Sequence, residues 1–401
     1  MSSKRRLLYG ISLNIGLLSA ASLLTDISSE MILPLIPAFF LSLGGTEWLL
    51  GLAEGLAEST VSFFKMMSGY YSDKAGRRKP FVYAGYGFSS AMKAIWGFVA
   101  SWPQFVAVRV SERMGKGIRD PPRDAIIAES TAPETVGKAF GFHRAMDTTG
   151  AIFGPILSIV LLSVILTGGA VMDRYRTIFM LAAIPAIAAF LITLLVREKR
   201  RQPAKMKPLL ASIMYPPPAL RYFIIVAAVF SLANFSYAFF LLKVKQVTGS
   251  DTLTVVFYLI FNVVYALNAF MTGALSDRLG RKPVIAVGYS LFAFLCASLV
   301  FVNDVTILVL MFAVYGLSFA FVEGTQKALI SDLAEKERRG TALGAYHMTV
   351  GLAKLPAGIL AGALWYELGH EYAFAYGAVV ASIALVLLLG FKERRPAAAD
   401  P

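Results

Sequence analysis

Ionisable residues lie inside several long apolar stretches of this 401-residue chain. Asp26 and Glu30 are one helical turn apart in the first stretch, and Glu54 and Glu58 repeat that spacing in the second. A charge at bilayer depth costs at least about 2.5 kcal/mol on insertion scales, so such residues face a cavity or a partner. Carboxylates that lie close together in a partly dry cavity raise one another's pKa, which would allow proton uptake near neutral pH. We therefore predict Asp26, Glu30 and Glu58 as proton sites, whereas Glu54 is better explained as the counterion of a base.

The fourth apolar stretch carries a row of ionisable residues at helical spacing, namely Arg109, Glu112, Arg113, Lys116, Arg119 and Arg123. They form one cationic helix face that could bind an anionic substrate, pair with the carboxylates of the first two stretches, or reach the membrane surface. Arg113 and Lys116 are the candidates for binding a substrate anion. We expect Arg119 and Arg123 to extend to the surface, where the proline pair at 121–122 should also disrupt the helix.

Further polar residues lie in the fifth stretch and in the second half of the chain. Asp147 lies about ten residues inside the fifth stretch, close to His143, and is a further predicted proton site. Glu323 and Lys327 are one turn apart and could simply neutralise each other. The residues expected to line a substrate site beside Arg113 and Lys116 are Arg144, Asn234, Tyr237, Glu323 and Lys327.

The composition indicates that these residues belong to a membrane protein. Hydrophobic residues make up 57% of the chain and charged residues 16%, against about 25% charged in soluble domains. The length accommodates about twelve spans, expected at 11–43, 46–70, 80–100, 103–129, 137–166, 175–196, 220–247, 252–275, 283–302, 305–331, 340–366 and 370–391. The sequence contains no phosphate-binding loop or catalytic triad, a single cysteine and three dispersed histidines. We therefore expect no cofactor, no metal site and no enzymatic activity.

The chain divides into two similar halves. Residues 1–196 and 220–401 would each form a bundle of six helices, joined by a basic, proline-interrupted linker at 197–219. Lys and Arg collect in alternate connections, which places both termini in the cytoplasm. The net charge of +13 is then mostly an orientation signal, and we expect no nucleic-acid partner.

A polar motif recurs at matching points of the two halves. The segment from Gly69 to Pro80 reappears 204 residues later as the segment from Gly273 to Pro283. The shared glycines, aspartates and arginines are Gly69, Asp73, Gly76, Arg77, Gly273, Asp277, Gly280 and Arg281. Such internal symmetry is typical of transporter folds built from repeats. The motif could be a basic surface loop that only sets topology, but this does not explain the aspartates or the duplication.

These repeated residues resemble the signature loop of the major facilitator superfamily. The resemblance implies an all-α membrane protein with twelve transmembrane helices in two pseudo-symmetric bundles. It also implies a latch role for the motif, in which Asp73 and Asp277 join charge pairs that stabilise a conformation open to the outside. Arg109 matches a membrane-buried arginine that the family associates with proton transfer.

A second resemblance concerns the fifth stretch. Gly141, Gly150, Gly154 and Pro155 follow the spacing of a motif found in proton-driven antiporters. The family pattern closes with two glycines where this chain has Ser158 and Ile159. The alternative is that these glycines only allow tight helix packing.

Together, these features predict a secondary transporter of the inner membrane that works as a monomer by alternating access. The leading hypothesis is proton-coupled efflux of a small organic or amphipathic solute. The alternative with the same fold is proton-coupled uptake of an organic anion, and a third possibility is a receptor or enzyme of the membrane that transports nothing.

Overall fold

The apolar stretches fold into twelve long helices in a computed structural model of the chain, which describes residues 6–7, 11–131, 135–198, 217–334 and 339–391. The helices are α1 Leu13–Ser42, α2 Glu47–Ala75, α3 Lys79–Ile95, α4 Trp102–Glu129, α5 Val136–Ile165, α6 Val171–Leu194, α7 Pro218–Thr248, α8 Asp251–Leu279, α9 Arg281–Leu299, α10 Val305–Leu333, α11 Arg339–Leu368 and α12 His370–Gly390. Two short strands, β1 Arg6–Leu7 and β2 Ile11–Ser12, pair antiparallel before α1. The predicted all-α membrane fold with twelve helices is confirmed.

Three helices in the first half differ from the others in charge or in length. Nine helices within the described residues are long and apolar enough to cross a membrane, and α2, α3 and α4 are not among them. The helices α2 and α4 carry the predicted rows of charges, and α3 is only 17 residues long and contains Lys93. These helices depend on the rest of the bundle to shield their charges from lipid.

The duplicated motif lies mostly within helices. The helices α2 and α8 both have 29 residues, and α8 begins and ends 204 positions after α2. Gly76 and Gly280 follow the two helices with φ angles of 62° and 94°, a region that favours glycine. The spans expected to end near 70 and 275 therefore continue to Ala75 and Leu279, because no residue stops the helix before these glycines.

The proline pair at 121–122 does not disrupt α4, contrary to the sequence-based expectation. Proline lacks a backbone N–H, so Pro121 leaves the carbonyl of Gly117 without its helical partner. The Ser68 hydroxyl of α2 donates to that carbonyl at 2.9 Å. The helix continues from Trp102 to Glu129 because a neighbouring side chain replaces the lost hydrogen bond.

The two halves meet most extensively along α2 and α11. Gly51 contacts the backbone of Gly358, Gly55 contacts Leu355, and Gly362 contacts Glu47 on the facing helix. No side chain separates the two backbones at these points, which allows close helix packing. We call this contact the glycine seam.

The glycine seam occupies one end of the bundle. The other end of the bundle holds the α2–α3 and α8–α9 connections, and we call it the basic end. The end with the glycine seam also holds the α1–α2 and α7–α8 connections, and we call it the opposite end. Aromatic side chains fill the first half near the opposite end, where Phe39 packs edge-on against Phe179 at 4.8 Å between ring centroids. The predicted division at 197–219 stays a prediction, because residues 199–216 lie outside the described part of the chain.

The glycine seam predicts an asymmetry between two glycines of α11. We expect Gly358→Ala to lower stability by about 1–3 kcal/mol, because its Cβ atom would press on the Gly51 backbone. Gly344→Ala is the matched control, since a Cβ atom there meets no atom within 4 Å. Thermal unfolding of the two purified variants compares them directly. Equal unfolding temperatures would contradict the tight seam.

Candidate functional site

A cavity of about 1170 Å³ lies between the two halves. Its lining runs from Asp26 on α1 and His347 on α11 to Asp73 and Gly340, at the basic ends of α2 and α11. The cavity is therefore accessible from the basic end. It starts where the glycine seam stops, since Ser62 of α2 lines it and the neighbouring Ser59 hydroxyl still donates to the Gly351 carbonyl at 2.9 Å.

Polar bridges between the halves close the opposite end. The Tyr175 hydroxyl donates to Oδ1 of Asp251 at 2.7 Å, and Lys245 donates to the same oxygen at 2.7 Å. Deeper in the bundle, the Tyr258 hydroxyl donates to Glu30 at 2.7 Å, and Arg109 donates to the Tyr237 hydroxyl at 3.2 Å. Opening this end requires these hydrogen bonds to break.

Arg109 is the centre of a buried charge cluster. Its Nε and Nη2 atoms donate to the two carboxylate oxygens of Glu54 at 2.8 and 3.1 Å, and Nη1 donates to Glu112 at 3.3 Å. The side chains of Arg109 and Glu54 are 2% and 1% exposed. Two-point pairing of this kind compensates for lost hydration and holds both groups in one geometry. Arg113 pairs with Glu58 on α2 through one contact, from Nη2 to Oε1.

A break in α7 lies next to this cluster. The helix is interrupted between Ala233 and Tyr237, and the Ser236 side chain lies 3.4 Å from Glu54. Lys354 of α11 donates to the freed carbonyl of Asn234 at 2.8 Å. The N-terminus of the second helical segment thus lies close to a carboxylate, where its dipole is favourable.

Arg119 and Arg123 do not extend to the membrane surface, although the sequence predicted that they would. The Arg119 guanidinium lies 4.4 Å from the centre of the Tyr86 ring, and the Arg119 residue is 4% exposed. Arg123 contacts Asp124 and Ser22 within the bundle. The expected extension to the surface is wrong for both arginines, because the face of α4 that carries them packs against α1 and α3.

The glycines of α5 bring this helix close to α1. Gly150 lies against the backbone of Leu23 and Cβ of Asp26, and Gly154 lies against Glu30. The Ser158 hydroxyl continues the row and donates to the Met31 carbonyl at 2.7 Å. Helix α5 passes through Pro155 without ending, and Gly141 has open space around it. Two of the predicted motif glycines therefore set the distance between α5 and the acidic face of α1.

A chain of hydrogen bonds crosses the cavity from one half to the other. Arg144 of α5 donates to the Tyr265 hydroxyl of α8 at 2.5 Å, and that hydroxyl donates to Glu323 of α10 at 2.6 Å. Lys327 lies 2.9 Å from Glu323. The predicted Glu323–Lys327 pair is thus present, but it also connects the two halves through Tyr265.

The predicted site residues separate into two groups. Those that line the cavity are Asp26, Lys116, Arg144, Asp147, Glu323 and Lys327. Those outside its lining are Glu30, Glu58, Arg109, Arg113, Asn234 and Tyr237, which lie nearer the opposite end. Sequence reasoning overlooked Tyr258 and Tyr265, because a tyrosine in an apolar span usually belongs to the core. It also overlooked Asp120, which pairs with Lys65 at 3.1 Å on the cavity wall.

Two cavity residues of opposite charge lack a partner. Neither Asp26 nor Lys116 forms a hydrogen bond or ion pair within the described part of the chain, although each lies within electrostatic reach of the other. Asp147 has one distant partner, since its closest base is His143, whose Nε2 atom lies 3.7 Å from Oδ1. These groups face the cavity and can bind a solute or a proton.

The duplicated motif forms ion pairs within each half. Asp73 pairs with Arg78 at 2.7 Å, and Arg281 pairs with Asp277 at 2.5 Å and with Asp332 at 3.1 Å. Arg78 also pairs with Glu129, whereas Arg77 is exposed. The latch role of the motif concerns the other conformation and stays a prediction.

The Arg109–Glu54 pair predicts strong coupling between two substitutions. Arg109→Gln leaves a buried carboxylate without its partner, so we expect a loss of about 3–5 kcal/mol in stability. Adding Glu54→Gln should restore part of this loss, because the unpaired charge is removed. Denaturant unfolding in mixed micelles measures all three variants, with Arg77→Gln as an exposed control of no effect. Strictly additive losses would show that the pair does not act as a unit.

Known proteins resemble the chain over most of its length. The sequence profile of the Major Facilitator Superfamily matches residues 18–353 and 253–401. An uncharacterized MFS-type transporter of Methanocaldococcus jannaschii is 38% identical over 94% of this chain and 95% of its own. The multidrug resistance protein MdtH of Aeromonas hydrophila is 22% identical over 95% and 96%. A solved bacterial homologue of the human lysosomal transporter Spinster, in an inward-facing and occupied conformation, has a TM-score of 0.76 at 17% identity and covers 94% and 95%.

Proposed function

The chain belongs to the Major Facilitator Superfamily of transporters, and from this premise we propose that it exports a small organic solute across the inner membrane in exchange for protons. The observation that carries the proposal is the cavity between the halves, open at the basic end and lined by Asp26, which forms no ion pair among the described residues, and by Asp147, whose closest base is His143 at 3.7 Å. Membership of this family sets aside the membrane-enzyme alternative.

The basic end is the cytoplasmic end in this proposal. Lys74, Arg77 and Lys79 lie at or beside its α2–α3 turn, and Arg278 and Lys282 lie beside its α8–α9 turn. The described connections at the opposite end contain neither Lys nor Arg. This bias matches the rule that positive residues stay on the cytoplasmic side. The solute then enters the cavity from the cytoplasm.

Asp26 and Asp147, the cavity carboxylates that no arginine or lysine neutralises in the described part of the chain, are the proposed proton carriers. Glu54, Glu58 and Glu112 are each held by an arginine, so protonating them would break an ion pair. Asp26 and Asp147 have no such partner and can accept either a proton or a cationic group. Competition between the two at one carboxylate would couple efflux of a solute to proton entry.

Alternating access requires the opposite end to open. We infer that the Tyr175–Asp251 and Arg109–Tyr237 contacts release together, while the glycine seam separates and the basic ends of the two halves approach. The motif residues Asp73 and Asp277 would then each form an ion pair with a base of the other half instead of one in their own half. A single chain provides the whole path, in line with a monomer.

The second candidate function is uptake of an organic anion with protons. The position of Lys116 on the cavity wall favours this function, because an ammonium group without an ion pair among the described residues can bind an anion. The relative named multidrug resistance protein supports the efflux direction instead. The two functions differ in the direction of solute movement relative to protons.

Everted membrane vesicles from cells that produce the protein test the direction. With an acidic interior, we expect a labelled solute from a panel of amines, amino acids and organic acids to accumulate inside. Nigericin, which collapses the pH gradient, should abolish the accumulation. Uptake that instead needs an alkaline interior would support symport, and uptake indifferent to the gradient would contradict proton coupling.

The same vesicles test the proton site. Asp26→Asn should reduce gradient-driven accumulation at least about tenfold, because the side chain can no longer bind a proton. Exchange of solute without a gradient should weaken as well, because the same carboxylate is proposed to bind the cationic group of the solute. Asp173→Asn is the matched control, since Asp173 is exposed at the start of α6 and far from the cavity. Full activity of the Asp26 variant would assign coupling elsewhere.

A further inference from the structure

We propose that the transported solute is a zwitterion, with a cationic group bound by Asp26 and an anionic group bound by Lys116. This inference rests on the proposed function and names the substrate class of the same cavity. It starts from the partners of the cavity residues, because a charge that already has a partner contributes little to recognition.

Most charges on the cavity wall are already paired. Asp120 is held by Lys65, Asp124 by Arg123, and Glu323 by Lys327. Each of these pairs is neutral as a whole. The wall thus offers few free charges despite its many ionisable side chains.

The free charges on the wall have both signs. Asp26 on α1 has no ion-pair partner among the described residues, and neither has Lys116 on α4. The two lie within electrostatic reach of one another but do not make contact. The gap between an unpaired carboxylate and an unpaired ammonium is a place for a molecule that carries both complementary charges.

Neighbouring groups strengthen the acidic point more than the basic one. On the acidic side, Oδ1 of Asp147 is buried and accepts no hydrogen bond, and its closest base is His143 at 3.7 Å. On the basic side, the Arg119 guanidinium lies over the Tyr86 ring and its Nε atom is 3.7 Å from Asp120, so Lys116 is the base that a solute anion would meet. Buried polar atoms usually have hydrogen-bond partners, so Asp147 can supply a further acceptor beside Asp26.

A solute with one charge would leave one side of the site unsatisfied. An amine would pair with Asp26 but would leave Lys116 without an anion, and an organic acid would do the reverse. A zwitterion satisfies both sides and adds no net charge to the cavity. The cost of an unpaired buried charge therefore discriminates against both singly charged classes.

The other wall of the cavity suits a variable side group. It is built largely from small residues of α10 and α11, including Gly324, Gly340 and Gly344, and it contains the self-neutralised Glu323–Lys327 pair. From the facing wall, Tyr70 of α2 and Phe140 of α5 add aromatic surface. A volume of about 1170 Å³ leaves room for a side group well beyond the charged head.

A matched series of compounds tests the proposal on purified full-length protein. L-Phenylalanine carries both charges, 2-phenylethylamine only the ammonium, and 3-phenylpropanoate only the carboxylate. We expect phenylalanine to raise the unfolding temperature and the other two to bind at least about tenfold more weakly. A parallel series of tryptophan, tryptamine and indole-3-propanoate extends the test to a larger side group.

Two substitutions assign the charges. Asp26→Asn should abolish the preference for the zwitterion over the acid, and Lys116→Met should abolish its preference over the amine. Asp26→Glu and Lys116→Arg retain the charges and should keep binding within about tenfold of the unmodified protein. The unfolding temperature of each variant without ligand shows that it is folded.

The proposal is overturned if either singly charged compound binds as well as the zwitterion, or if no zwitterion of the two series binds. It is also overturned if the preferences survive both neutral substitutions. These measurements use no pH gradient, so a failure of proton coupling in vesicles would leave them unchanged. A solute other than a zwitterion that accumulates in the vesicles would instead support the transport function alone.

Discussion

An ionised side chain in an apolar bundle needs a partner or access to water, and this constraint organises the first half of the protein. Arg109, Glu54 and Glu112 satisfy it through hydrogen bonds among themselves. The groups that do not satisfy it in this way, above all Asp26 and Lys116, face the cavity. Paired charges thus hold the helices together, and the charges without an ion pair among the described residues line the cavity between the halves.

The same helices provide both the closed and the open end of the molecule. On α2, Gly51 and Gly55 lie in the seam, whereas Ser62 and Asp73 line the cavity. Backbones that touch without intervening side chains can separate without moving any large side chain out of the way. A seam of this composition is compatible with a contact that must form and break in every cycle, which a core of interlocked aromatic rings would hinder.

The sequence predicted the architecture well because its signals are local and repeated. Apolar length, basic connections and the motif after α2 and α8 suffice for twelve helices in two halves. The site was less predictable, since partners come from distant parts of the chain. Ser68 keeps α4 continuous at its prolines, and Tyr86 covers Arg119, but helical spacing within α4 reveals neither. Similarly, the depth of Asn234 and Tyr237 depends on where the cavity ends, which only the packing of the halves determines.

The charges of α2 and α4 also have a consequence for biogenesis. A helix that enters the membrane alone must offset each charge with its own apolar residues, and neither of these helices is apolar enough to do so. Glu54 and Glu58 of α2 are neutralised by Arg109 and Arg113 of α4. We infer that the two helices enter the bilayer side by side, so that the ion pairs of the folded protein also help to insert its first half.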